Sequence, residues 1–152
     1  MEVPAFHLCG AWSSSLKLDP AAFLADQALL DALETRSKLI VCDEDQILFK
    51  QGDLPTGLYV LRSGTAALCL TSQTGEIVLC APVSEGALLG LPGFIGDHPY
   101  SLTAEALKGA ELGFVSREDF SDLMISNPAL SLKVLAVLAA EVRTARNAIL
   151  ES

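Results

Sequence analysis

Basic side chains are scarce in this chain of 152 residues: ten Lys and Arg stand against nineteen Asp and Glu, a formal charge of −9. A surface of that sign repels phosphate backbones, which are captured by clustered Lys and Arg that displace counterions. The ten are scattered from Lys17 to Arg146, and only Arg143 and Arg146 lie close together on one helical face. No nucleic acid is expected to bind this chain alone.

Other absences narrow the chemistry. His7 and His98 are the only histidines, and no His-Glu-x-x-His, Gly-x-Ser-x-Gly or Walker-type Gly-Lys-Ser/Thr occurs, so no catalytic residues are expected. Cys9, Cys42, Cys69 and Cys80 form no Cys-x-x-Cys pair, and none has a partner at structural-zinc spacing. No metal is expected; Cys42, Cys69 and Cys80 sit in apolar runs and read as small buried hydrophobes. Asp43-Glu44-Asp45 reads as a solvated turn. No apolar run approaches the roughly 20 residues of a membrane span, and Met1-Glu2-Val3-Pro4 lacks a basic leader. The expected compartment is the cytoplasm, with no membrane partner.

What is present suits one domain with a real core, since 51% of the chain is hydrophobic. Residues 1–18 show no period and read as an N-terminal arm. Asp19-Pro20 is a helix start, with Asp as the N-cap and Pro at the first helical position. The spacing of Phe23, Leu24, Ala28, Leu29 and Leu33 predicts a helix to about Arg36. Short apolar runs then alternate with Gly and Asp turns: 39–42, 46–49, 58–61, 66–70 and 77–80, with two more near 101–106 and 111–115. That pattern predicts an antiparallel β-roll, jelly-roll-like, in a mainly β domain with flanking α-helices.

Ser116, with Asp119 three residues on, caps a helix that ends at Asn127-Pro128. Residues 129–151 hold no Gly or Pro and predict a long terminal helix. Its Leu135, Leu138, Val142, Ala145 and Ile149 are spaced 3-4-3-4, a coiled-coil seam that predicts a homodimer. Leu130, Val134 and Val137 form a second stripe, suited to packing on the roll. The organisation is therefore an arm over 1–18, a roll with helices over 19–127 and a dimer helix over 128–152.

Five landmarks come in a characteristic order: Phe49-Lys50-Gln51-Gly52-Asp53, then Gly57 to Gly64, then Gly75-Glu76, then Gly86-Ala87-Leu88-Leu89-Gly90-Leu91-Pro92-Gly93, then Pro99 to Ala106. This order resembles the cyclic-nucleotide-binding domain, as in the sensor domains of cyclic-AMP receptor protein and fumarate–nitrate regulator type transcription factors. The resemblance covers roughly residues 20–150. It implies a flattened β-roll, a helix that pairs two chains, and a ligand site at the glycine loop. It also implies a Glu after the second loop glycine and an Arg before a small residue; Leu91 and Tyr100 stand in those places. In regulators of this kind a helix-turn-helix comes after the paired helix, and that part is expected to be missing after Ser152.

A pocket for a cyclic nucleotide needs backbone N–H groups, a planar Arg fork and a carboxylate for the ribose. Pro92 removes one N–H, and each lost charge-assisted bond costs roughly 1.5–3 kcal/mol. Tight binding of cyclic AMP is not expected. The candidate ligand residues are Leu89, Gly90, Leu91, Gly93, Phe94, Tyr100, Ser101 and Thr103, around which Leu88 adds apolar surface. Two readings of the loop stand side by side: a structural turn that came with the fold, or a pocket for a less charged small-molecule effector. Haem ligation by His7, Cys9 or His98 is not expected, because no spacing links them. With Cys9 alone, the N-terminal cysteine cluster of iron–sulfur relatives is missing. No cofactor is expected. The function class is a ligand-sensing regulatory domain, or else an interaction scaffold that kept the fold and the dimer helix without ligand control.

Overall fold

The computed structural model describes residues 16–151. Its strands are β1 (Leu16–Lys17), β2 (Lys38–Val41), β3 (Gln46–Phe49), β4 (Gly57–Ser63), β5 (Ala66–Thr71), β6 (Ile77–Val83), β7 (Leu88–Leu89), β8 (Thr103–Ala106) and β9 (Glu111–Ser116). They form a five-stranded sheet in the order β1-β6-β5-β8-β3 and a four-stranded sheet in the order β2-β9-β4-β7. Every pairing is antiparallel except β1 with β6. The roll expected from the short alternating runs is present. β1 and β7 are too short to show a period, and no sequence pattern marked either.

Four helices surround the roll: α1 (Gln27–Glu34), α2 (Leu91–Gly96), α3 (Arg117–Ser126) and α4 (Ala129–Leu150). The long helix expected from Asp19 to Arg36 is broken in two. Asp19 does cap a start, accepting from the Ala21 N–H at 3.0 Å, but it opens only a single 3-10 turn, Pro20–Phe23. Leu24 is extended and bridges Ala87, and the Ala25 N–H donates to the Gly86 carbonyl at 3.0 Å. Asp26 then caps α1 through the Ala28 N–H at 2.8 Å. Pairing with the roll overrides the helical period for two residues, and a second Asp restarts the helix. Ser116 caps α3 as expected, accepting from the Asp119 N–H at 3.2 Å.

Two apolar clusters share the interior. One lies between the sheets, around Phe49, Leu61, Leu68, Val83, Leu89 and Leu112. The other lies between the four-stranded sheet and the helices, and joins Leu29 and Leu33 of α1, Phe94, Phe120 of α3, and Leu130, Val134 and Val137 of α4. The stripe expected to cover the roll is therefore the buried one. Further along α4, Ala148 belongs to the first cluster, and buried Thr144 accepts from the Asp19 N–H at 2.6 Å. Both ends of α4 are thus fastened to the body.

The Thr144 contact yields a test. Thr144→Val keeps the shape and removes the acceptor, so it should cost about 1 kcal/mol, while Thr144→Ser should recover most of the loss. Urea unfolding would show this as a lower midpoint at unchanged slope.

Candidate functional site

The glycine loop forms a tight turn between β7 and α2. Gly90 takes a φ of +91°, and a Cβ on it would stand 2.7 Å from the Tyr100 ring, so both conformation and space demand glycine. The Phe94 N–H donates to the Gly90 carbonyl at 3.2 Å, and the His98 N–H to the Gly93 carbonyl at 3.0 Å. Gly93 lets the returning chain pass close, since a Cβ there would meet the Pro99 carbonyl at 2.8 Å. Arg117 braces the outside, donating to the Phe94 carbonyl at 3.0 Å with its guanidinium 4.7 Å from the Phe94 ring centre.

Tyr100 turns inward. Its hydroxyl donates to the Gly57 carbonyl at 2.7 Å, and its ring stacks on Phe49 with centroids 3.8 Å apart. Phe49 continues to Tyr59 at 5.8 Å, and Tyr59 to Phe114 at 5.2 Å, so a file of four rings ties the loop to both sheets. Burial pushes the Tyr100 hydroxyl pKa up.

A cavity of about 320 Å³ opens between this loop, the five-stranded sheet and α4. Leu70 and Leu79 form its floor, Leu18 and Phe23 one wall, and Pro92, Ser101 and Leu102 the loop side. α4 closes it with Leu138, Glu141, Val142 and Ala145. No Lys, Arg or His is among these lining residues. The Glu141 Oε2 is shut off from solvent and has no hydrogen-bond partner among the described residues. Burial raises its carboxyl from the ordinary 4.5 to about 8, so it is mostly protonated at neutral pH. Because the folded state holds that proton more tightly, its stabilising effect is complete below about 4.5 and is lost as pH rises through about 8.

Of the candidate ligand residues, Ser101 alone lines this cavity. Leu89, Leu91, Phe94 and Tyr100 are buried in the two cores, as is Leu88. Gly90 and Gly93 shape the turn, and the Thr103 hydroxyl accepts from the Gln51 N–H at 3.0 Å. On α4, Leu138, Val142 and Ala145 line the cavity, while Leu135, Val142 and Ile149 are 56%, 68% and 62% exposed. Sequence reasoning missed Glu141 as a site residue. The available signal was a lone acid between Leu138 and Val142 of an apolar seam. The remaining missed contacts come from elements far apart in the chain.

A larger hollow of about 520 Å³ lies beside α1 and β4, where Arg62 and Glu34 pair with each other. The glycine loop takes no part in its lining beyond Gly86. Among the described residues no group of His, Cys, Asp or Glu is arranged to hold a metal. Cys42, Cys69 and Cys80 are buried, and His98 is exposed; His7 and Cys9 lie outside the described residues. No helix among the described residues is long and apolar enough to cross a membrane.

Residues 39–127 match the family model described as the cyclic nucleotide-binding domain. The chain belongs to that family. The matched span of this cyclic nucleotide-binding domain takes in most of the roll, α2 and α3, and leaves α4 outside. Across more of its length the chain is 31% identical over 132 residues to an anaerobic regulatory protein of Aggregatibacter actinomycetemcomitans, covering 84% of this chain and 50% of that one. It is 32% identical over 98 residues to a cyclic AMP receptor protein of Thermus thermophilus, covering 64% and 45%. The chain spans about half the length of the curated relatives it matches. Its fold superposes on the crystal structure of the Thermus thermophilus catabolite activator protein with a TM-score of 0.70 at 27% identity, over 88% of this chain and 61% of that one.

The inward tyrosine can be tested directly. Tyr100→Phe leaves the Gly57 carbonyl buried without its donor and should cost about 1–3 kcal/mol, read from the denaturant midpoint.

Proposed function

We propose that this domain is the ligand-sensing module of a regulator of transcription-factor type, working in the cytoplasm, with an effector other than a cyclic nucleotide. One observation carries the reading: the cavity beside the glycine loop is closed by Leu138, Val142 and Ala145, three residues of the α4 seam. A ligand there touches the surface that a second α4 would meet, so occupancy biases how two chains pair. Relatives named as an anaerobic regulatory protein and a cyclic AMP receptor protein support the regulatory class. The acidic surface leaves DNA reading to a segment or partner other than this one.

The cavity chemistry argues against a cyclic phosphate. Among the described residues no guanidinium or ammonium lines it, Pro92 offers no N–H, and the one ionisable side chain is a carboxyl. Tyr100, where the resemblance puts Arg, is committed to Gly57 and Phe49. The scaffold reading draws on the solid packing of Leu91, Phe94 and Tyr100, and differs in requiring no ligand under α4.

Two measurements test the sensing role. Titration calorimetry with cyclic AMP and cyclic GMP should give no dissociation constant at or below about 10 μM, the range that a guanidinium–phosphate contact would help to reach. Sedimentation should give a mass of two chains for the wild type and one chain for Leu135→Glu with Val142→Glu, both exposed positions. A one-chain mass for the wild type at micromolar concentration would remove the dimer from the proposal.

A further inference from the structure

The cavity under α4 poses a solvation problem that its own residues do not solve. Glu141 lines this space beside Leu18, Phe23, Leu70, Leu79 and Leu102, and its Oε2 is shut off from solvent and finds no donor among the described residues. A polar atom buried without a partner is costly, and a charged one more so. The Ser101 hydroxyl, on the loop side, is the other polar side chain among the described lining residues. Among the described residues, no other Asp or Glu, and no Lys, Arg or His, lines the cavity from the sheet, the loop, the 3-10 turn or α4.

A donor that arrives with the ligand would satisfy such a carboxyl. An anion would hold the carboxyl in its neutral form and find no opposite charge among the described lining residues, and the domain's charge of −9 adds repulsion at longer range. A cation is favoured on both counts. The apolar remainder of the lining asks for a hydrocarbon or aryl body, and about 320 Å³ is at the small end of ligand sites.

We propose that the cavity takes a small apolar amine, its ammonium group paired with the Glu141 carboxylate and its body packed against Leu70, Leu79 and Leu138. This rests on the proposed function, in which the cavity beside the glycine loop is the effector site. The proton balance is set by the state of Glu141 without ligand. The carboxyl is mostly protonated at neutral pH, and the amine is already an ammonium in water. Pairing converts the carboxylic acid to carboxylate, and its proton leaves to the buffer.

The test uses three probes of one shape in titration calorimetry of the whole chain at neutral pH: 4-phenylbutylamine, 4-phenyl-1-butanol and 4-phenylbutyrate. The amine should bind about tenfold or more tighter than the alcohol, and the carboxylate more weakly than either. Repeating the amine titration in buffers of different ionisation enthalpy should show release of about one proton per amine bound. Glu141→Gln, and independently Glu141→Leu should the first fold poorly, should erase both the amine preference and the proton release while leaving the alcohol bound. Equal binding of amine and carboxylate, or an amine preference that survives in these variants, would overturn the amine class and leave the cavity as an effector site. Failure of all three probes to bind up to about 5 mM would remove the effector site itself, and the amine with it.

Discussion

The position of α4 is the constraint on which the rest of the molecule depends. One face of the helix must supply Leu130, Val134 and Val137 to the cluster beneath the helices, and its far end must supply Ala148 to the cluster between the sheets. Burying side chains of this size is worth roughly 1.5–3 kcal/mol each for the larger ones, far more than any exposed ion pair around them. The pairs Lys133–Asp26 at 3.2 Å and Arg36–Asp119 at 3.2 Å are partly exposed and only trim the fit. With two separate anchors the helix bridges the sheet between them, and the cavity is the space left under that bridge.

Much of this was legible in the sequence. The roll was readable from alternation and turn residues, and the α4 stripes from helical spacing, because each is a local period imposed by one packed face. The helix predicted over 19–36 failed for a different reason. Leu24 carries the right spacing, but the backbone of Leu24 and Ala25 serves the Gly86–Ala87 edge, and no local pattern announces a partner about sixty residues away. The candidate site was legible only in part. Chemistry-bearing positions were read from the loop, yet Leu91, Phe94 and Tyr100 turn into the cores. A loop so rich in apolar residues is drawn inward by burial, which leaves Pro92, Ser101 and Leu102 at the cavity.

The same trade governs the electrostatics of the interior. Tyr100 resolves its polar end by a 2.7 Å bond to Gly57, and its ring joins an aromatic file through Phe49 and Tyr59 to Phe114. Among the described residues the Glu141 Oε2 has no such partner, and burial shifts the carboxyl's proton affinity far. The two residues are both polar and drawn inside, yet one is structural cement and the other a stored imbalance. Side-chain type alone does not separate them; the partner does.

The order of the strands also shapes how the chain folds. β2 pairs with β9, joining Lys38 to Phe114, and β3 pairs with β8, joining Gln46 to Ala106. Neither sheet is complete until the later strand of each pair is available, and such distant pairings slow folding because loop closure precedes the reward. During synthesis, residues through β9 must leave the ribosome before β2 finds its neighbour. Until then both edges of β2 are unpaired, and in the finished sheet it still keeps one open edge with Leu39 and Val41 exposed, so the nascent stage is when the domain is most exposed to aggregation.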